Sequence, residues 1–224
     1  MNKYLNTLLL ASLLTTSLSA ELVRSYFDTG ELKAETNYVD GTNTDIKVGI
    51  KDGIEKVYYQ MGRMAYSVNY TDDKREGILT WFDKEGYKLA DMYYVEGKLN
   101  GVETAYFRNG LKKHTVTYIN DKKEGMQKEY FDNGQLALIV PYVNNKKEGL
   151  QKEYTYNGSL YSEVFYKNNY REGTQKWFDQ KGKVIKTEFY KNDRPVNVMK
   201  KVQTKEPEVN ILIQGIDFSP QKQK

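Results

Sequence analysis

From Gly125 onward the apolar positions of the chain fall at even intervals. Met126 and Tyr130 follow that glycine by one and five residues, and beyond Gly134 come Leu136, Leu138, Val140 and Tyr142. A period of two marks an extended strand, because successive side chains leave it on opposite faces. The two runs flank Asp132-Asn133-Gly134 and together predict a β-hairpin. The chain then repeats itself: "KKEGMQKEYFDNG" at 122–134 is followed by "KKEGLQKEYTYNG" at 146–158.

The repetition runs through most of the chain. A leading glycine recurs in steps of 24 at Gly53, Gly77, Gly101, Gly125, Gly149 and Gly173. A second series, Gly62, Gly86, Gly110, Gly134, Gly158 and Gly182, keeps the same step, as do Tyr70, Tyr94, Tyr118, Tyr142, Tyr166 and Tyr190. Three markers with one period indicate a repeat array. Gly30 and Tyr38 extend it back to a unit beginning at Glu21, with eight extra residues between Val39 and Asp52. At the other end Asn197 stands where the next leading glycine is due, so 197–203 reads as a last strand. "VNILIQGI" predicts a capping strand, and the residues after it a frayed terminus. The organisation expected is therefore a 1–20 leader, an array over 21–196, and a capping strand with a flexible tail over 197–224.

Turn chemistry sets the expected register. A three-residue loop, Asp132 to Gly134, places Tyr130 opposite Leu136, Lys128 opposite Leu138 and Met126 opposite Val140, so the apolar sets share one face. Such a loop ends in a left-handed residue with a bulge, and glycine at its last position accepts that backbone without steric cost. The second connection, Asn144 to Glu148, reads as a five-residue loop. Pro141 lies inside a predicted strand and forfeits a ladder donor, so a local bulge is expected there. The fold class that follows is all-β: an elongated antiparallel β-meander of about seven 24-residue hairpin repeats and about 14 or 15 strands, stabilised by stacking of neighbours.

Composition changes the picture in three ways. Of the 224 residues 29% are charged and 13% aromatic, including 20 tyrosines, which excludes a disordered tail. Lys+Arg is 34 and Asp+Glu is 30, and the two signs interleave without a long basic block, which argues against a nucleic-acid partner. The first twenty residues, "MNKYLNTLLLASLLTTSLSA", carry a positive start, an apolar stretch and small residues up to Ala20, the plan of a secretory signal peptide. The expected localisation is export, to the periplasm, the cell surface or beyond. There is no cysteine.

The motif built from Gly125, Tyr130, Phe131, Asn133, Gly134, Leu136 and Tyr142 resembles the MORN-repeat variant family, short tyrosine- and glycine-rich hairpin repeats. The resemblance covers roughly residues 21–196. It implies a binding scaffold, and bacterial members are often labelled antitoxins of toxin–antitoxin systems. Similar repeats accompany lipid-phosphate kinases elsewhere, but this chain has no Gly-rich phosphate loop followed by lysine.

Candidate chemistry is sparse. His114 is the single histidine and reads as a packing residue on the ladder face. Glu124, Glu148 and Glu172 recur at one loop position, and Asp28, Asp83, Asp132 and Asp179 lie near turns, where they read as acceptors for backbone N–H groups. No catalytic residue, metal site or cofactor is expected. The recurring tyrosines read as packing between repeats. The less regular aromatics Trp81, Phe107, Phe131, Phe165, Trp177 and Phe189 are expected on the opposite face, as candidate partner-binding residues. The leading function is a secreted or envelope-associated scaffold for protein–protein interaction, without catalysis. The alternatives are cell-wall or glycan binding through an aromatic stripe, an antitoxin-type neutralising protein, and peripheral attachment to a membrane surface.

Overall fold

The computed structural model describes residues 21–39 and 49–196. The expected leader at 1–20, the insertion at 40–48 and the capping strand and tail at 197–224 lie outside the described residues. Within them the chain is one antiparallel sheet of nineteen strand segments, each long strand paired with the next along the chain. Five segments are two-residue stubs, such as Lys122–Lys123 and Lys146–Lys147. The meander is as expected, and each 24-residue unit contributes one long hairpin.

The unit led by Gly125 shows how each hairpin is made. Its strands are Gly125–Tyr130 and Leu136–Val143. They are closed by the Asp132-Asn133-Gly134 loop, in which the Gly134 N–H donates to the Phe131 carbonyl at 2.9 Å. Gly134 has φ 84°, as a turn ending in a left-handed residue demands. Asn133 Oδ1 accepts from the Gln135 N–H at 2.9 Å, fixing the loop from inside.

Beyond the first pair the register departs from expectation. Tyr130 faces Leu136 as expected, but Glu129 faces Leu138, and Ala137 is left unpaired as a bulge. Lys128 therefore opposes Ile139 rather than Leu138, and Met126 opposes Pro141 rather than Val140. The extra residue recurs in every unit, at Lys33, Ala65, Leu89, Lys113, Ala137, Tyr161 and Ile185. One inserted residue inverts the face of everything beyond it. Gln127 and Glu129 consequently share a face with Leu138, Val140 and Tyr142, while Met126 and Lys128 lie on the other.

The second connection is tighter than expected. Asn144 and Asn145 both have positive φ, 49° and 67°, and Val143 pairs with Lys146 across them. This is a two-residue type I′ turn, not a five-residue loop, and asparagine tolerates the left-handed conformation it needs. The same geometry recurs at Asp72-Asp73, Glu96-Gly97, Asn120-Asp121, Asn168-Asn169 and Asn192-Asp193. The irregularity after the stub, where the Glu148 N–H donates to the Pro141 carbonyl, also appears where Thr117 or Phe165 stands in place of the proline. Pro141 is therefore not its cause.

Turns of successive units are stitched together. The Asn145 N–H donates to the Lys123 carbonyl at 3.0 Å, and Asn145 Oδ1 accepts from the Lys123 N–H at 2.6 Å. Asn169 and Asp193 repeat the reciprocal pair with Lys147 and Arg171. The recurring glutamates add a second stitch: Glu124, Glu148 and Glu172 accept from the N–H groups of Asn144, Asn168 and Asn192 at 2.8–3.0 Å. The Asp residues divide. Asp83 and Asp179 accept backbone N–H bonds in their own turns, whereas Asp132 accepts the Tyr156 hydroxyl of the next unit.

The core is a row along one face, here called the inner face. Val68, Val116, Val140 and Val164 are 2–3% exposed and Leu79 1%, so the single chain covers them. The largest buried cluster joins Val68, Tyr70, Leu79 and Tyr94, with Trp81, Met92 and Leu99 packed against it. Where the leading glycines pass under the previous unit, contact is close: a Cβ on Gly101 would meet the Tyr93 side chain at 2.8 Å, and one on Gly149 would meet Pro141 at 3.0 Å, with φ 117° besides. Gly125 has open space. Gly149→Ala is therefore expected to destabilise the fold by about 2 kcal/mol or more, and Gly125→Ala by only the roughly 1–2 kcal/mol of left-handed strain. Urea unfolding of the two variants against wild type measures the difference.

Candidate functional site

Two surfaces follow from the bulged register. On the inner face a cation lies over a tyrosine ring in unit after unit. Lys51 stands 4.8 Å from the Tyr70 centroid, Arg75 5.3 Å from Tyr94, Lys123 5.1 Å from Tyr142, Lys147 4.7 Å from Tyr166 and Arg171 3.8 Å from Tyr190. The cation then continues into a polar chain. Lys147 Nζ donates to Gln151 Oε1 at 3.2 Å, Gln151 Nε2 donates to Glu153 Oε1 at 3.1 Å, and the Ser162 hydroxyl donates to Glu153 Oε2 at 2.8 Å. The tyrosine rings thus pack between cations of neighbouring units, and Tyr70, Tyr94 and Tyr190 are buried.

The Gly101 unit breaks this ladder. Leu99 takes the cation's place and turns into the apolar cluster. Glu103 then lacks the lysine that Glu55 has in Lys51 at 2.6 Å. Its partner is His114, whose Nε2 lies 3.2 Å from Glu103 Oε1. Burial, with the Glu103 charge and hydrogen bond beside it, pushes the Tyr118 hydroxyl up to about 12. Burial and Glu55 do the same to Tyr66, also to about 12. His114 is thus held on the ladder face, as expected, and the break at Leu99 accounts for its partner.

The outer face carries aliphatic residues that the expected register assigned to the opposite face. Leu22, Ile54, Ile78, Val102, Met126 and Leu150 each follow a unit's first residue and are 40–58% exposed. Across the strand pair stand Tyr93, Pro141 and Phe165 opposite Ile78, Met126 and Leu150. Beside this row Val95, Ile119 and Val143 pair with Lys98, Lys122 and Lys146 at the type I′ turns. Rows repeat at the pitch of two strands, roughly 10 Å.

The six candidate aromatics are divided between these faces, which corrects the expectation that they share one. Trp81 packs with Tyr66 at 4.8 Å against the buried cluster, and Trp177 lies under Lys186 at 4.6 Å, both on the inner face. Phe107 and Phe131 open their hairpin loops beside His114 and Glu129 on that same face. Phe165 and Phe189 face outward opposite Leu150 and Thr174. The aliphatic row escaped sequence reasoning because the expected register, with its bulge at the turn glycine and none at Ala137, assigns Met126 and its equivalents to the core. Its signal was present in the even recurrence of Ile, Val, Met and Leu one residue after each glycine.

With this geometry in hand, comparison with known proteins identifies the repeats. The family model for the MORN repeat variant matches residues 22–40, 123–144, 147–168 and 171–192. These four stretches are MORN-variant repeats. Each match over the C-terminal half spans one MORN unit of the sheet, from a stub to the end of a long strand. No curated protein matches the chain. Among solved structures it is similar to a porin-like protein from Bacteroides uniformis ATCC 8492, at 12% identity over 79% of this chain and 86% of that one, with a TM-score of 0.21. A likeness at that score carries no argument about shape or activity. Among the described residues no group of three or more His, Asp and Glu side chains is placed to hold a metal ion.

The tyrosine environment has a measurable consequence. Tyr66 and Tyr118 ionise at about 12 in the folded array and near 10 in the unfolded chain, so between those values the unfolded state has lost protons that the folded state keeps. Their contribution to stability is whole below pH 10 and falls away as pH rises towards 12. Titration of tyrosinate absorbance should show a late fraction that Tyr118→Phe reduces; a wild-type curve centred on 10 with no late fraction would refute the assignment.

Proposed function

We propose that the protein is a non-catalytic, exported scaffold that binds protein partners through its outer face. The observation that carries this reading is the aliphatic row at Ile54, Ile78, Val102, Met126 and Leu150, which the chain leaves exposed in one unit after another. A partner that covers several units gains hydrophobic burial at each, so modest contacts sum along the array. The inner face serves the fold itself. In units such as that of Gly149 its cations, amides and carboxylates pair with one another and with the tyrosine rings, which supports packing rather than turnover. The export part of the reading rests on the apolar leader at residues 1–20.

The array is also the kind of surface that many small contacts can tune. Replacing one residue of the row changes one unit's contact and leaves the hairpin intact, because Met126 and its equivalents are exposed in the folded chain. Proximity labelling in intact cells with wild type and with the double variant Val102→Lys, Met126→Lys tests the proposal. The expected result is a defined set of proteins enriched by wild type and lost, by about tenfold, with the variant at equal abundance. An identical labelled set for both would overturn it.

A second reading is favoured by one observation. Lys98, Lys122 and Lys146 stand beside Val95, Ile119 and Val143 on the outer face, an arrangement that suits an anionic membrane surface. Sedimentation with vesicles of mixed phosphatidylglycerol and phosphatidylcholine decides it: binding should rise with the anionic fraction and fade with salt. Sedimentation indifferent to both would remove it.

A further inference from the structure

The break in the inner-face ladder leaves more than a substituted partner for Glu103. Two hollows open there, of about 360 and 350 Å³, and they share His114 and Glu129. The first is lined by Glu103, His114, Val116 and Tyr118 from the Gly101 unit, with Lys123, Gln127 and Glu129 from the next. The second is flanked by Phe107 and Phe131, with Tyr130, Ala137 and Lys113 completing it. Each volume is at the lower end of small-ligand sites, and the two hollows adjoin at His114 and Glu129.

The lining tells what kind of ligand suits it. Glu103 and Glu129 are set against Lys113 and Lys123, so the fixed charges of the site cancel. An anion meets the two carboxylates and a cation meets the two ammonium groups. The site nevertheless offers both hydrogen-bond acceptors, on Glu103 and Glu129, and donors, on Gln127, Lys113 and Lys123. Gln127 already links the two kinds: Lys123 Nζ donates to its Oε1 at 2.9 Å, and its Nε2 donates to Glu129 Oε1 at 2.9 Å. Beside this polar floor stand the apolar rings of Phe107 and Phe131, one per unit. Phe131 is braced by Tyr156, at 5.2 Å between centroids. Tyr156 is itself held by a 2.9 Å hydrogen bond to Asp132.

Neutral, rich in hydroxyl groups and with one apolar C–H face is the description of a pyranose ring. We propose that the joined hollows of the Gly101 and Gly125 units bind a neutral oligosaccharide, with Phe107 and Phe131 under successive sugar faces and Glu103, Gln127 and Glu129 bonding to its hydroxyls. The bulge contributes directly. It sets Glu129 opposite Leu138, and across the neighbouring strand Glu129 pairs directly with His114, so the two share one face. No other unit combines the features, because Leu99 stands at the cation position only in the Gly101 unit, and adjacent phenylalanines open the loops only at 107 and 131. The site is on the opposite face from the aliphatic row and stands or falls independently of it.

Saturation-transfer NMR on the wild-type protein tests the assignment, with cellohexaose, maltohexaose and the hexamer of N-acetylglucosamine as probes. At least one is expected to receive saturation, through its C–H protons, and to bind measurably by calorimetry. Phe107→Ala and Phe131→Ala should each weaken that binding by about tenfold, while Phe165→Ala on the outer face leaves it unchanged. Should an alanine variant unfold, Glu129→Gln, which removes a charge and an acceptor at nearly constant shape, is expected to weaken binding with thermal unfolding unaltered. Absence of transfer to all three probes overturns the proposal. So does undiminished binding by a folded Phe107→Ala or Glu129→Gln variant, or tighter binding of oligogalacturonate or of a chitosan oligomer than of the neutral probes.

Discussion

One unpaired residue in each hairpin governs the molecule. The bulge at Ala137 and its equivalents rotates the second half of every hairpin by one position, and with it the destination of every side chain beyond. Because the insertion is repeated in each unit, the rotation is repeated too, and two coherent faces result. Valine, tyrosine and their cations line one. Aliphatic residues that a regular hairpin would have buried line the other. A single unit without the bulge would put a lysine among the valines and a glutamine among the exposed aliphatics.

The inner face combines two solutions to the same packing problem. Near the Gly77 unit it is apolar: Leu79, Val68 and Leu99 close around Tyr70 and Tyr94. Towards the C-terminus glutamine replaces Leu79's counterpart, and the space is filled by a lysine or arginine stem whose charge lies on a tyrosine ring and whose donors reach the glutamine. Long cationic side chains serve as filler in this way because their stems are apolar and their heads reach polar partners. The Gly101 unit lies at the junction between the two solutions. It has the leucine of the first and the glutamate of a polar unit, and His114 reconciles them.

Much of this was legible in the residues. The 24-residue period, the hairpins, the glycine-ended loop and the antiparallel meander all follow from side chains that have one local reason to be where they are. Gly134 is needed at a positive φ, and alternation fixes strands. A bulge was expected at the turn glycine, but the unpaired residue at Ala137 was not legible because no residue type marks it: the position holds lysine, alanine, leucine, tyrosine or isoleucine. The type I′ turn was concealed by the glycine four residues beyond it at Gly149, which draws the eye to a longer loop. The faces of Trp81, Phe107, Phe131 and Trp177 went astray with the register. The recurrence of glutamate at 124, 148 and 172 pointed to a structural role, and their bonds to the next turn supply the reason.

The stitches between turns reach only from one unit to the next: Asn145 holds Lys123, and Asn169 holds Lys147. Beyond the backbone ladder, no long tether spans several units along this row among the described residues. Force applied at the two ends of such a ribbon would act crosswise to the strands and open it like a zipper, one row of bonds at a time, instead of shearing many together. The molecule is therefore built to give way gradually under tension and to close again from whichever hairpins stay intact, a compliance set by local bonding and not by its overall stability.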